Sequence, residues 1–344
     1  MTLIIQIPCF NEAETLAVTL RELPRAVSGF DKVEWLIIDD GSTDGTTEVA
    51  RRCGVDHIVR FNQNQGLARA FMAGLEHSLA LGADVIINTD ADNQYSAASI
   101  PDLVKPILDG RAQIVVGARP IEQIKHFSTS KKLLQRLGSW AVKLASGTNI
   151  HDAPSGFRAI HRDAAIQLNV LNTYTYTLET IIQAGRRGIP MISVPVLVNG
   201  YLRPSRLISS VPRYVMRSIF TILRIFVLYK PLRFFLFLAL LLAIPAIFFV
   251  LRFLVLYFSA GGAGNIQSLV LAGALLAISA VLMIGGILAD LIAANRVMLE
   301  EIRVRTLRRE LSNRESRAPT SLERAAKPDR NQTERIAGAE RAIS

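Results

Sequence analysis

Apolar and polar positions fall in alternating blocks over the first 200 residues. Residues 3–8 (LIIQIP) are a short apolar run that predicts a buried strand, and from Asn11 onward apolar residues recur at helical spacing. The same reading predicts strands over 34–39, 57–60, 84–89, 112–117 and 190–197. Helices are predicted through Glu48–Arg52, 66–81, Ile100–Leu108 and 175–187, with a basic helical stretch over 120–150 and a turn at 151–158. Strands alternating with helices predict an α/β domain: a mostly parallel, Rossmann-like sheet with helices on both faces. Ligands of such sheets bind beyond the carboxyl ends of the strands. Three polar clusters fall at those ends: Asn11–Glu12, Asp39–Asp44 and Asp90–Gln94. No G-x-G-x-x-G follows the first strand, which argues against an ordinary NAD site.

Past residue 210 the pattern changes. Arg213, Arg217, Thr221 and Arg224 draw one polar stripe along a helix whose other faces carry Val215, Ile219, Phe220 and Phe226. A helix packed on a globular core shows the same stripe, but the apolar run directly after it favours a helix lying in a membrane interface. Residues 233–258 and 268–290 are each long enough for a transmembrane helix, which needs about 20 apolar residues. Pro245 interrupts the first span, Arg252 can snorkel from its far end, and Asp290 reads as an interface residue.

Charge then sets orientation. The chain carries 39 Lys and Arg against 29 Asp and Glu, a formal net charge of +10. Nucleic acid is excluded as the target, since no basic patch interleaved with aromatics is present. Arg224, Lys230 and Arg233 precede the first span, Arg296, Arg303 and Arg305 come after the second, and the connection between the spans is uncharged. The positive-inside rule therefore predicts a multi-pass membrane protein with its N-terminal domain and C-terminal tail both cytoplasmic. Residues 1–8 lack a basic segment leading into a long apolar one, so no signal peptide is expected. Two cysteines, Cys9 and Cys53, fit a reduced compartment. The expected organisation is a catalytic domain over 1–210, an interfacial amphipathic helix over 211–231, two transmembrane helices over 232–294 and a basic, largely disordered tail over 295–344.

Candidate chemistry sits at the sheet edge. In N-T-D-A-D-N-Q (88–94), Asp90, Asp92 and Gln94 are alternate positions just past a strand, so all three can offer oxygen to one side. Such a set suits Mg²⁺ or Mn²⁺ bridging a diphosphate. In Asp39–Asp44 the acidic side chains can accept hydrogen bonds from a base and ribose; turn and helix capping is the competing reading, and Asp44 fits a cap.

P-C-F-N-E (8–12), D-D-G-S-T-D-G-T (39–46) and D-A-D-N-Q (90–94) together resemble the family 2 glycosyltransferases of GT-A fold. With G-A-R-P (117–120) and D-A-P-S-G-F-R (152–158), the set is similar to dolichol-phosphate mannose and glucose synthases and their bacterial undecaprenyl-phosphate counterparts. The resemblance covers residues 3–210. It implies a nucleotide held by Pro8, Asn11, Glu12 and Asp40, with Asp90 at its diphosphate. It implies a metal on Asp90, Asp92 and Gln94, and Arg119, Ser155, Arg158, Arg203 and Arg206 around the donor and acceptor phosphates. The expected catalytic residues are Asp92, Arg119 and Arg158.

The implied activity is inverting transfer of one hexose (glucose, N-acetylglucosamine or mannose) from a nucleotide sugar to dolichyl or undecaprenyl phosphate, with UDP favoured over GDP. None of the five histidines lies in a motif that requires a base. A phosphate monoester needs none, because its second pKa of about 6 leaves it largely dianionic at neutral pH. Asp152 is expected to orient a loop, and Glu179 either to partner an arginine or to face the core. Expected partners are the nucleotide sugar, the polyprenyl phosphate and the bilayer; a homo-oligomer stays open. Two other readings are a processive polysaccharide synthase and a non-catalytic scaffold that binds sugar nucleotides. The first lacks a Q-x-x-R-W motif and has too few spans; the intact D-A-D-N-Q argues against the second.

Overall fold

The computed structural model describes residues 1–120, 143, 146–148, 150, 152–170, 176–199, 224, 227, 229–260 and 266–317. The interfacial helix expected over 211–231, the basic loop carrying Arg203 and Arg206, and the tail past 317 fall almost wholly outside these residues. Two compact units divide the chain, Met1–Glu301 and Ile302–Ser344.

The first unit is built on strands β1 (Thr2–Cys9), β2 (Lys32–Asp39), β3 (His57–Arg60), β4 (Val85–Asn88), β5 (Ile114–Ala118), β6 (Arg158–His161) and β7 (Met191–Pro195). They form one sheet in the order β3-β2-β1-β4-β6-β5-β7. The central strands β1 and β4 are buried nearly throughout, as continuous apolar runs covered on both faces should be. Helices α1 (Ala13–Glu22), α2 (Thr46–Arg52), α3 (Leu67–Ala80) and α4 (Ile100–Leu108) make the parallel crossovers. Two short helices come next, α5 (Arg162–Gln167) and α6 (Thr177–Arg186).

One strand differs from expectation. Residues 158–161 begin at the last position of the expected turn and extend three residues beyond it; they form β6, which lies antiparallel to both β4 and β5. Its first residue, Arg158, pairs with Asn88, the last residue of β4. The loop preceding β6 therefore enters at the carboxyl edge, where the acidic loop leaves.

Helices α7 (Pro231–Ala260) and α8 (Ile266–Arg317) are both long and apolar enough to cross a membrane. Small residues line their contact. Ala239, Ala246 and Ala272 are buried, Ser279 Oγ donates to the Ala239 carbonyl at 2.8 Å, and a Cβ on Gly286 would stand 2.8 Å from Phe235 Cβ. Their other faces expose Phe237, Ile244, Val255 and Val281, a surface suited to lipid. Helix α8 continues to Arg317, so residues 295–317 of the tail expected to be largely disordered are helical.

Candidate active site

The carboxyl ends of β1 and β2 carry the first two clusters. Asn11 adopts φ +54°, and its Oδ1 accepts the Thr43 N–H at 2.9 Å while its own N–H donates to Ser42 Oγ at 3.0 Å. Glu12 accepts from Thr15 Oγ1 at 2.8 Å. Asp44 accepts from Ala13 N–H at 3.0 Å and Thr46 N–H at 3.1 Å, so it ties together the first turns of α1 and α2 from the position before Gly45, the N-cap residue of α2. Asp39 is fully buried and accepts from Ser42 N–H at 2.7 Å and from Thr47 Oγ1. Pro8 is buried within β1 opposite Ile38.

Asp40 differs from expectation. It is buried, and its two oxygens accept the N–H groups of Gln65 (2.7 Å) and Gly66 (2.9 Å). Its carboxylate holds the loop at Gln65–Gly66. Gly41 makes the close approach feasible: at φ +76° an added Cβ would stand 2.6 Å from the Gln63 carbonyl carbon.

The third cluster leaves β4. Asn93 takes φ +55° and donates to Glu22 Oε1 at 2.9 Å. Asn199 reaches Glu22 Oε2 at 3.0 Å and the Asn93 carbonyl at 3.1 Å, and its N–H bonds the Gln94 carbonyl at 2.9 Å. Thr19 Oγ1 donates to the Ala91 carbonyl at 2.8 Å. The acidic loop is thus stitched to α1 and to the chain leaving β7. Asp92 and Gln94 are both half-buried, and Asp92 Oδ1 accepts the Gln94 N–H at 3.1 Å.

Asp90 lies against backbone. A Cβ on Gly156 would stand 3.0 Å from each of its carboxylate oxygens. Burial, then the charges of Asp92 and Glu12, push its pKa up to about 7, while Arg119 and Arg158 oppose the rise. Two neighbouring carboxylates short of positive charge are a donor set that fits a hard divalent cation. Among the described residues no group of three Asp, Glu, His or Cys surrounds such a site. Mg²⁺ does not require one, since it is commonly held by one or two carboxylates plus substrate phosphates.

The cations near this cluster include Arg119, just past β5, and its partner Asp152 lies shortly before β6. Arg119 makes a bidentate pair with buried Asp152, Nε at 2.7 Å and Nη2 at 3.0 Å, and its N–H reaches the same carboxylate at 3.2 Å. Asp152, expected to orient a loop, therefore orients this arginine. Burial works against the Arg119 charge, but the Tyr95 hydroxyl, Asp152 and Asp90 outweigh it and raise the pKa. Its Nη1 has no hydrogen-bond partner among the described residues.

Two expectations require correction. Arg158 does not face an acceptor phosphate: it is 1% exposed, and its Nε donates to the Ser155 carbonyl at 2.9 Å. Its Nη2 donates to the carbonyls of Ala153 and Thr177, each at 2.8 Å, and its Nη1 to Thr180 Oγ1. Ser155 is also fully buried, its Oγ accepting the Phe157 N–H at 3.3 Å. Both hold the 152–158 loop in shape. Arg203 and Arg206 lie outside the described residues.

Sequence reasoning passed over the network beneath this loop. Gln6 Nε2 donates to Asn88 Oδ1 at 2.9 Å, and Asn88 Nδ2 reaches the Gly156 carbonyl at 2.9 Å and Tyr176 Oη at 2.8 Å. The Tyr95 hydroxyl accepts the Gly156 N–H at 3.2 Å, and Tyr176 stacks on Phe71 with ring centroids 3.9 Å apart. The available signal was polar Gln6 and Asn88 inside otherwise apolar strands, side chains that call for buried hydrogen-bond partners, although Gln6 Oε1 has none among the described residues.

The profile of Glycosyl transferase family 2 matches residues 4–168. An undecaprenyl-phosphate mannosyltransferase of Micrococcus luteus is 31% identical over 206 residues, 57% of this chain and 83% of that protein. A UDP-N-acetylglucosamine–dolichyl-phosphate N-acetylglucosaminyltransferase of Methanococcus voltae is 26% identical, over 55% of this chain and 82% of its own length. Among solved structures, glucosyl-3-phosphoglycerate synthase of Mycobacterium tuberculosis, in complex with Mn²⁺ and UDP-glucose, superposes with a TM-score of 0.51 at 22% identity. That match covers 64% of this chain and 78% of the other, and shows the shared GT-A fold.

Proposed function

Because the chain belongs to the family 2 glycosyltransferases, we propose that it transfers one hexose, with inversion, from a nucleotide sugar to a polyprenyl phosphate at a membrane surface. The observation that carries this reading is that Asp90 lies within electrostatic reach of both Asp92 and Arg119, the arginine being aligned by Asp152. Both relatives named above transfer to polyprenyl phosphates, one mannose and one N-acetylglucosamine. The sugar therefore stays open among mannose, N-acetylglucosamine and glucose, and UDP-sugars are the first donors to test.

Pro8, Asn11 and Glu12 line the nucleotide corner that Asp40 shapes. Asp90 and Asp92, with Gln94, would hold Mg²⁺ or Mn²⁺ against the diphosphate. When bound, the metal supplies charge neutralisation to the departing nucleoside diphosphate. Arg119 orients the acceptor phosphate, with Arg203 and Arg206 as further cations, while Ser155 and Arg158 act as positioning residues. An acceptor phosphate oxygen forms the new bond to the anomeric carbon as the bond from that carbon to the diphosphate oxygen breaks.

No proton has to be removed, which agrees with where the described histidines lie. His57 opens β3, His161 pairs with Val85 at the start of β4, and His77 is near the end of α3, all toward the opposite edge of the sheet. We assign the catalytic domain to 1–210, the interfacial helix to 211–231 and the membrane hairpin to 232–294. The basic flanks support a cytoplasmic catalytic domain.

The test incubates purified protein with UDP- and GDP-sugars and undecaprenyl phosphate, with Mg²⁺ or with EDTA. Metal-dependent glycolipid formation that disappears in Asp92→Ala is the expected outcome. Transfer only to a neutral hydroxyl, or full activity in EDTA, refutes the reading.

A further inference from the structure

An ionic cluster on the far side of α6 takes no part in the chemistry above. Glu179 is buried, and its Oε1 accepts from Arg296 Nη2 at 3.0 Å and from the Tyr229 hydroxyl at 3.1 Å. Arg296 Nε also pairs with Glu300 at 2.9 Å, and Glu300 holds Arg187 Nη2, again at 2.9 Å. Of the two roles open to Glu179, the structure assigns it an arginine. Among the described residues the cluster comprises Glu179, Arg187, Tyr229, Arg296 and Glu300, with Arg186 over the Tyr229 ring at 5.6 Å from its centroid. Its members come from three places: α6 and its end, Tyr229 just before the first span, and α8 beyond Asp290.

Both ends of the membrane hairpin are therefore fastened to one helix of the catalytic domain. That helix is ten residues long. Its opening turns hold the loop at the active site, where the Thr177 carbonyl and Thr180 Oγ1 accept from Arg158. The acceptor's phosphate stands at a fixed height, set by the bilayer. Buried ion pairs demand particular geometry and tolerate little slack.

We propose that Glu179, Tyr229 and Arg296 form a clasp that fixes the catalytic pocket over its membrane anchor, making them positioning residues for the lipid-borne acceptor. The proposal rests on the function given above.

Full-length wild type, Glu179→Gln, Arg296→Lys and Tyr229→Phe, each in nanodiscs, would be assayed with undecaprenyl phosphate in the bilayer and with citronellyl phosphate, a short soluble analogue. Loosening the clasp lowers the effective concentration of the bilayer acceptor, so Glu179→Gln should raise its KM about tenfold. Use of citronellyl phosphate and the KM for nucleotide sugar should stay within about twofold of wild type. Tyr229→Phe removes one hydroxyl and should shift the same KM in the same direction by less, which keeps the test intact if Glu179→Gln does not fold. Equal losses with both acceptors, or an unchanged KM for the bilayer acceptor, overturn the proposal. If wild type glycosylates neither phosphate, the functional reading fails instead. The clasp is then judged by hydrogen–deuterium exchange: faster exchange in α6 and around Arg296 in Glu179→Gln supports it, and unchanged exchange overturns it.

Discussion

Replacing Gly156 by alanine adds one methyl group at the most crowded point of the site. The new Cβ would stand 3.0 Å from both Asp90 oxygens and 2.9 Å from Tyr176 Oη, where ordinary contact begins at 3.4 Å. Tyr176 cannot easily retreat, because it stacks on Phe71 and bonds Asn88. Either the 152–158 loop lifts or Asp90 moves. Overpacking of this kind costs about 1–3 kcal/mol of stability. The larger effect should be on rate, since a displacement near 1 Å at reacting groups costs about 100-fold. That factor corresponds to about 2.7 kcal/mol of lost transition-state stabilisation. The methyl also strips water from Asp90, so more Mg²⁺ should be needed for half-maximal activity. Glycolipid formation measured against Mg²⁺ concentration, beside thermal unfolding of the same samples, separates the two effects. A Gly156→Ala enzyme within about twofold of wild type in kcat/KM and in its Mg²⁺ requirement would refute the placement of Asp90.

Three further outcomes are expected. Asp90 has a folded pKa of about 7, above its usual 3.8, so the folded state keeps a proton that the unfolded state has lost between those values. Stability without metal should accordingly fall as pH rises from about 4 through about 7, and Asp90→Asn should flatten that slope in melts between pH 5 and 8. Arg158→Ala strands several buried carbonyls and should cost about 3–5 kcal/mol in urea unfolding, with nucleotide and acceptor use declining together and not the acceptor selectively. Asp152→Asn weakens the pair that aligns Arg119 and should raise KM for the acceptor phosphate about tenfold, leaving UDP affinity measured by calorimetry unchanged.

Much of this arrangement is legible in the chain. Continuous apolar runs ending in polar clusters marked β1, β2 and β4, and D-A-D-N-Q marked the acidic loop. The strand β6 was hidden because four residues bounded by Arg158 and His161 leave only Ala159 and Ile160 to show a pattern. Missing β6 also hid the inward turn of Arg158: an arginine in a polar loop reads as solvent-facing until the strand pairing buries it. The extent of α8 was underestimated because the apolar run stops near Asp290 while strong helix formers such as Ala, Leu, Glu and Arg continue. Glu179 was undecidable without knowing that Arg296, over a hundred residues away, would meet it.

The antiparallel course of β6 has an architectural outcome. Strand β5 ends at the edge of the sheet from which β6 starts, so both ends of the segment joining Ala118 to Arg158 stand at one rim. A change in the length of this segment would leave the pairing of β1 with β2 and β4, and of β2 with β3, untouched.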